Sequence, residues 1–316
     1  METRLLPPTD DGLRIAGSIL RDGGLVGFPT ETVYGLGGDA MDPSAASRIF
    51  AAKRRPADNP LIVHIPDADH LDGIASPTPL ALRLAEDFWP GPLTIVLDAH
   101  PEVPRTTTAG LSTVAVRVPD HPVAIALLEQ AGVPVAAPSA NRSGRPSPTT
   151  AGHVLADLGG SIDAVIDGGQ CVIGVESTVV DARGDVPVVL REGAVTREAL
   201  GIGAATADGD LGASPGTRHV HYQPESRVVI APEGEGPRVA LRISATESVG
   251  LVARGPVPEG VSSLGRFDRP GELAALLYGA MRDAETADLD ALVVEAVPEV
   301  GVGRAVMDRL RRAAAH

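Results

Sequence analysis

A single cysteine, Cys171, stands in this chain of 316 residues, so an intrachain disulfide and any multi-cysteine zinc site are excluded. That lone thiol reads as a small core residue. Aromatic residues make up only 3% of the sequence, too few for the base-stacking platforms of single-stranded nucleic-acid binders. Excess positive charge is missing as well: the formal net charge is −14. A protein that held nucleic acid chiefly through its phosphates would be basic. No run approaches the roughly 18 apolar residues of a membrane-spanning helix. The N-terminal METRLLPPTDDGLRIAG puts acids and prolines where a signal peptide needs an apolar stretch. The expectation is a soluble, cytoplasmic protein. The P-loop pattern, the GxSxG elbow and HExxH are absent, which excludes the chemistries built on them.

What is present is a chain rich enough in apolar residues, 43%, to build buried cores, and long enough for two domains. Strand and helix signals alternate. Thr9, Asp42-Pro43 and Thr78-Pro79 are helix starts, a capping side chain followed in two cases by proline at the first helical position. Short apolar strands are expected over 24–28, 61–65, 93–97, 113–118, 134–137, 164–166, 177–180 and 186–190. Together they predict an α/β fold, a twisted mixed sheet with flanking helices, over residues 1–205. Residues 206–226 lose apolar periodicity and read as a linker, whose His219 and His221 are too sparse to argue for a metal. Residues 227–316 are expected to form a small C-terminal Rossmann-like α/β domain, with strands at 227–230, 239–243 and 291–297 and helices at 272–284 and 303–315.

Four constellations carry polar chemistry. Pro29–Gly37, PTETVYGLG, joins a strand to a hydroxyl-rich turn. Lys53, Arg54 and Arg55 close a helix, and Asn59 precedes Pro60; such cations complement a helix dipole or neutralise a phosphate chain. Ser139 and Asn141 follow a buried strand, at the carboxyl end where ligands of α/β sheets gather. Ser177 and Thr178 open a strand, and Arg191 ends the next. A reaction run by such groups relies on positioning and charge neutralisation, as nucleotidyl transfer does.

In this order the motifs resemble the YrdC-like threonylcarbamoyl-AMP synthases in their long, two-domain form, and the resemblance covers essentially the whole chain. The family's Lys-x-Arg and Ser-x-Asn pairs stand here as Lys53-Arg54-Arg55 and Ser139-Ala140-Asn141. The resemblance implies that L-threonine, bicarbonate or CO2, and ATP give L-threonylcarbamoyl-AMP and pyrophosphate, for N6-threonylcarbamoyladenosine modification of tRNA. By position, Thr32, His64, Arg117, Ala137 and Ser177 match the family's threonine pocket. Lys53, Arg55, Asn59, Thr113, Ser139, Asn141, Ser147, Arg191 and Tyr222 match its ATP site, with Lys53, Arg55, Ser139 and Asn141 at the chemistry. Tyr222 makes the linker a lid as well as a tether. No resident metal site is implied; Mg2+ would arrive on the nucleotide. The implied partners are a TsaD-type threonylcarbamoyl transferase with its TsaB and TsaE helpers, and tRNA as indirect acceptor. Competing readings are an RNA-binding YrdC-like module, a non-catalytic regulator that binds nucleotide and threonine, and a hydrogenase-maturation carbamoyl-transfer enzyme. The last needs cysteine-rich zinc modules, which one cysteine cannot supply.

Overall fold

The computed structural model describes residues 2–201 and 222–315. The expected linker therefore lies outside the described residues except for 222–226, and the His219–His221 pair lies outside them altogether. The chain divides into two compact units. Among described residues the second comprises 144–147, 173–175 and 222–315, and the first comprises the rest.

The first unit runs β1 (Arg4–Leu6), α1 (Asp10–Arg21), β2 (Val26–Phe28), β3 (Gly35–Asp39), α2 (Pro43–Lys53) and β4 (Ile62–His64). A 3-10 turn and the short β5 (Ala75–Ser76) lead into α3 (Pro79–Phe88), β6 (Leu93–Ala99), β7 (Thr113–Arg117), α4 (Pro122–Ala131) and β8 (Val135–Ala136). Then follow α5 (Ala151–Leu158), β9 (Ala164–Ile166), β10 (Thr178–Asp181) and β11 (Val188–Arg191). The strands form one mixed sheet in the order β1-β9-β2-β3-β8-β4-β7-β6-β10-β11, with β5 beside β6.

Local chemistry sets the helix starts. Thr9, Asp42 and Thr78 each accept a backbone hydrogen bond from the first turn, from Gly12, Ser44 and Ala81. A cap of this kind contributes about 1 kcal/mol. Strand alternation then sorts the sheet's two faces. Val63, Val114, Val116 and Ile95 enter the main core, each worth about 1.5–3 kcal/mol of burial. Ile62, Ala115, Val96, Val179 and Leu190 form a separate, smaller apolar cluster on the other face. That second face carries the polar groups described below.

In the second unit, β12 (Arg227–Ala231), α6 (Gly236–Ile243), β13 (Val249–Ala253), β14 (Ser262–Arg266), α7 (Pro270–Thr286), β15 (Ala291–Glu295) and α8 (Gly303–Ala313) alternate. The four strands are all parallel, in the order β12-β15-β13-β14. The stretch 239–243, expected as a strand, is helical. Pro237 starts the helix, and Val239, Ala240 and Ile243 share the helical face that packs on Leu251 and Val293. Four strands, β1, β5, β13 and β14, have no counterpart among the expected strands, and β3 falls in a stretch expected as a turn.

Candidate active site

The turn between β2 and β3 is locked by its own hydroxyls. Thr30 Oγ1 accepts from the backbone N–H of Thr32 and Val33, both at 3.2 Å, and donates to the Val33 carbonyl at 2.6 Å. Its proton is thereby committed, so the 2.8 Å contact between the two threonine hydroxyls has Thr32 as donor. Thr32 in turn accepts from Arg117 NH1 at 3.0 Å. Arg117 ends β7 and is 4% exposed. Its Nε donates to the Gly91 carbonyl at 3.2 Å, and its NH2 lies 2.5 Å from Glu31 Oε1. Glu31 is 4% exposed, and neither of its oxygens accepts a well-aligned hydrogen bond, so the pair is held by charge alone.

His64 is the register partner of Arg117 on the neighbouring strand β4. Its Nδ1 faces the Ile62 carbonyl at 3.2 Å, an acceptor only, so Nδ1 carries the proton. Burial first, and the Arg117 charge second, push the His64 pKa down to about 3, which keeps the imidazole neutral at physiological pH. Ala137 lies alongside, its N–H donating to the Ile62 carbonyl. Ser177 sits just before β10 and shares a 2.7 Å hydroxyl contact with Thr94 of β6. Arg191 NH2 donates to both the carbonyl and the hydroxyl of Ser177, at 2.8 and 3.1 Å. Gly193 permits this wrap, because a Cβ there would stand 2.3 Å from the Thr178 nitrogen and 2.4 Å from the Ser177 carbonyl carbon.

A second cluster forms where α2 ends. Arg54 takes a left-handed conformation (φ 52°) and turns the chain, leaving Lys53 buried at 1% exposure. Lys53 Nζ donates to the carbonyls of Ser139 and Asn141, each at 2.5 Å. Ser139 donates its hydroxyl proton to Asn141 Oδ1 at 2.6 Å. Residue 139 bridges to Gly35 across from β3, which anchors the loop on the sheet. Arg55 donates to the carbonyls of Asn59 and Pro60, at 3.4 and 3.2 Å. Thr113, Ala115 and Arg117 alternate along β7, so Thr113 and Arg117 lie on one face. At about 3.3 Å per residue they are about 13 Å apart.

The structure thus brings Thr32, His64, Arg117 and Ala137 together, Lys53, Ser139 and Asn141 together, and Ser177 with Arg191. Ser147 and Tyr222 belong to the second unit. Ser147 is buried there; Tyr222, in a left-handed conformation (φ 70°), stacks on Tyr278 with centroids 5.4 Å apart. Two participants escaped the sequence reading. Thr94 carried no signal at all. Glu31 did: it is the one carboxylate in an otherwise uncharged, hydroxyl-rich turn. A cavity of about 540 Å³ beyond the carboxyl end of β4, lined by Met41, Ile65, Ile74, Leu128 and Val133, contains none of the expected site residues. Among the described residues no group of three or more His, Cys, Asp or Glu could hold a metal ion, and no helix is long and apolar enough to cross a membrane.

A family model described as "Telomere recombination" (Sua5, YciO and YrdC) matches residues 18–193. A second model, "Threonylcarbamoyl-AMP synthase, C-terminal domain", matches residues 188–315. The chain belongs to the threonylcarbamoyl-AMP synthase family. It is 43% identical to the threonylcarbamoyl-AMP synthase of Pyrococcus abyssi over 96% of this chain and 94% of that protein. Against the Bacillus subtilis synthase the identity is 42%, over 98% and 94%. A crystal structure of P. abyssi Sua5 complexed with L-threonine superposes with a TM-score of 0.90 at 40% identity, covering 100% of this chain and 98% of that one. The synthase is thus a nucleotidyltransferase of tRNA threonylcarbamoyladenosine modification, with a Sua5-type second domain. This membership sets aside the readings as a bare RNA-binding module or a non-catalytic regulator.

Proposed function

We propose that the synthase condenses L-threonine, CO2 (free or from bicarbonate) and ATP into L-threonylcarbamoyl-AMP and pyrophosphate, on the sheet face that carries Thr113 and Arg117. The observation that carries this reading is a pair of clusters on neighbouring strands: Ser139 and Asn141 follow β8, which runs antiparallel to β4, and His64 and Arg117 end β4 and β7. One is a buried guanidinium among hydroxyls, suited to an amino acid; the other is a cation-stapled Ser-x-Asn loop, suited to a nucleotide. That P. abyssi Sua5 has been crystallised in complex with L-threonine supports threonine as the amino acid.

Threonine's carboxylate would meet the Arg117 fork, with Thr32, His64, Ala137 and Ser177 shaping the pocket. Neutral His64 adds no second charge beside the guanidinium. Lys53, Arg55, Asn59, Thr113, Ser139, Asn141 and Arg191 would hold ATP. Threonine's amine adds to CO2 and loses a proton to give a carbamate. A carbamate oxygen then attacks the α-phosphorus, and the bond to pyrophosphate breaks. No protein nucleophile is required, which agrees with Cys171: burial above all pushes its thiol up to about 12. Mg2+ would neutralise the phosphates and arrive on the nucleotide, since the described residues offer it no carboxylate cage. In this reading Lys53 acts by fixing the Ser139–Asn141 loop in place before ATP arrives. A lid would shield the carbamate from water. The product would pass, in the cytoplasm, to a TsaD-type transferase working with TsaB and TsaE, with tRNA the eventual acceptor.

The test is pyrophosphate release from ATP by the purified protein, with L-threonine and bicarbonate omitted in turn. Release that needs both, with threonylcarbamoyl-AMP detected by mass spectrometry, is the expected result. Release indifferent to threonine would overturn the reading.

A further inference from the structure

The Arg117 guanidinium is already largely spoken for: Gly91 takes Nε, Thr32 takes NH1, and Glu31 faces NH2. Arg117 and Glu31 offset each other's charge. Glu31 is the anomaly. It is nine-tenths and more buried, yet neither carboxylate oxygen has a hydrogen bond from the protein. A buried carboxylate carries about four acceptor directions and is costly to leave unfilled, so it calls for a donor from outside the fold. That donor must reach a point beside a guanidinium and a threonine hydroxyl.

We infer that Glu31 receives the α-amino group of the amino-acid substrate. This rests on the assignment of threonine to this end of the face. In an α-amino acid the ammonium and the carboxylate hang from one carbon. A substrate whose carboxylate meets the remaining N–H edge of Arg117 therefore brings its ammonium next to the anion that Arg117 already touches. A paired plus and minus charge fits a zwitterion in both halves. An isolated arginine would bind any carboxylate; the Glu31–Arg117 pair rejects acids without an amine, because they leave Glu31 unpartnered and set two carboxylates side by side. The selectivity is thus for amino acids over hydroxy acids of the same length.

The experiment crosses a side-chain change with a ligand change. Dissociation constants for L-threonine and for 3-hydroxybutyrate, which is threonine without its amine, are measured by NMR titration on wild type, Glu31→Gln and Glu31→Asp. A charge-assisted hydrogen bond makes wild type prefer threonine by about tenfold or more. Glu31→Gln, isosteric and uncharged, should bring that preference close to unity, and Glu31→Asp should keep part of it. A preference unchanged in Glu31→Gln, or equal weakening of both ligands as expected of a purely structural prop, overturns the inference. Should Glu31→Gln fail to fold, a Glu31→Asp preference no smaller than that of wild type, or an absent preference in wild type, overturns it equally. Wild type that binds neither ligand removes the threonine assignment itself, and the inference falls with it.

Discussion

Replacing Arg117 by methionine probes how strongly the two buried charges depend on each other. Methionine keeps an unbranched apolar stem but strands the Glu31 carboxylate, 4% exposed, without a cation. Removing one partner of a buried ion pair costs about 3–5 kcal/mol. With about 4 kcal/mol, and 2–4 °C per kcal/mol for a unit of 150–250 residues, the first unit's transition falls by about 8–16 °C. Replacing both partners is different, because exchanging a buried pair for apolar groups is about neutral. Glu31→Met with Arg117→Met should therefore regain most of what Arg117→Met loses. Thermal unfolding by circular dichroism on wild type, both single variants and the double variant gives the coupling directly. Pyrophosphate release runs alongside: stability should return in the double variant while activity stays lost, since no guanidinium is present. A double variant that loses the sum of the two single losses would refute the reasoning, because the charges would then be independent.

His64 supplies a pH signature. Its folded pKa, about 3, lies below the 6.5 of the free side chain, so between these values the unfolded chain binds a proton that the native state refuses. Its contribution is complete above pH 6.5 and is lost as pH falls towards 3, by about 1.4 kcal/mol per pH unit. Urea denaturation across that window should show a shallower acid slope for His64→Phe than for wild type. Gly193→Ala forces a Cβ into the backbone of Ser177 and Thr178; overpacking of about 1–3 kcal/mol should displace Ser177 and raise the KM for threonine, read by pyrophosphate release. Lys53→Met strands the carbonyls of Ser139 and Asn141 at about 1–3 kcal/mol each. Denaturation should report that loss, and ATP affinity should drop with it.

The sequence was most readable where structure is decided within a few residues. Thr9, Asp42 and Thr78 announce their helices because a cap and its first turn are neighbours in the chain. Short apolar runs proved ambiguous: Val239–Ile243 suits a strand by composition, and only Pro237 and the spacing of Val239, Ala240 and Ile243 favour the helix that forms. The glycine-rich β3 reads as a turn because strand propensity assumes side chains to pack. Here Gly37 is required by crowding, since a Cβ on it would stand 2.8 Å from Val135. Within the site, Lys53, Ser139 and Ser177 are legible as motifs and Arg117 only through the family resemblance, whereas Glu31 acquires its meaning from a partner on a distant strand. Thr94, one hydroxyl in an apolar strand, shows its use only once β6 and β10 are paired.

The threonine hydroxyls beside Arg117 form a one-way street. A guanidinium is a donor only and has no lone pair to offer. Every proton downstream of it therefore points away, from Thr32 to Thr30 and on to the Val33 carbonyl. What Thr32 has left for a visitor is a lone pair, never a hydrogen. Molecules that arrive there with an ether oxygen or a halogen find no match, and those bearing N–H or O–H do.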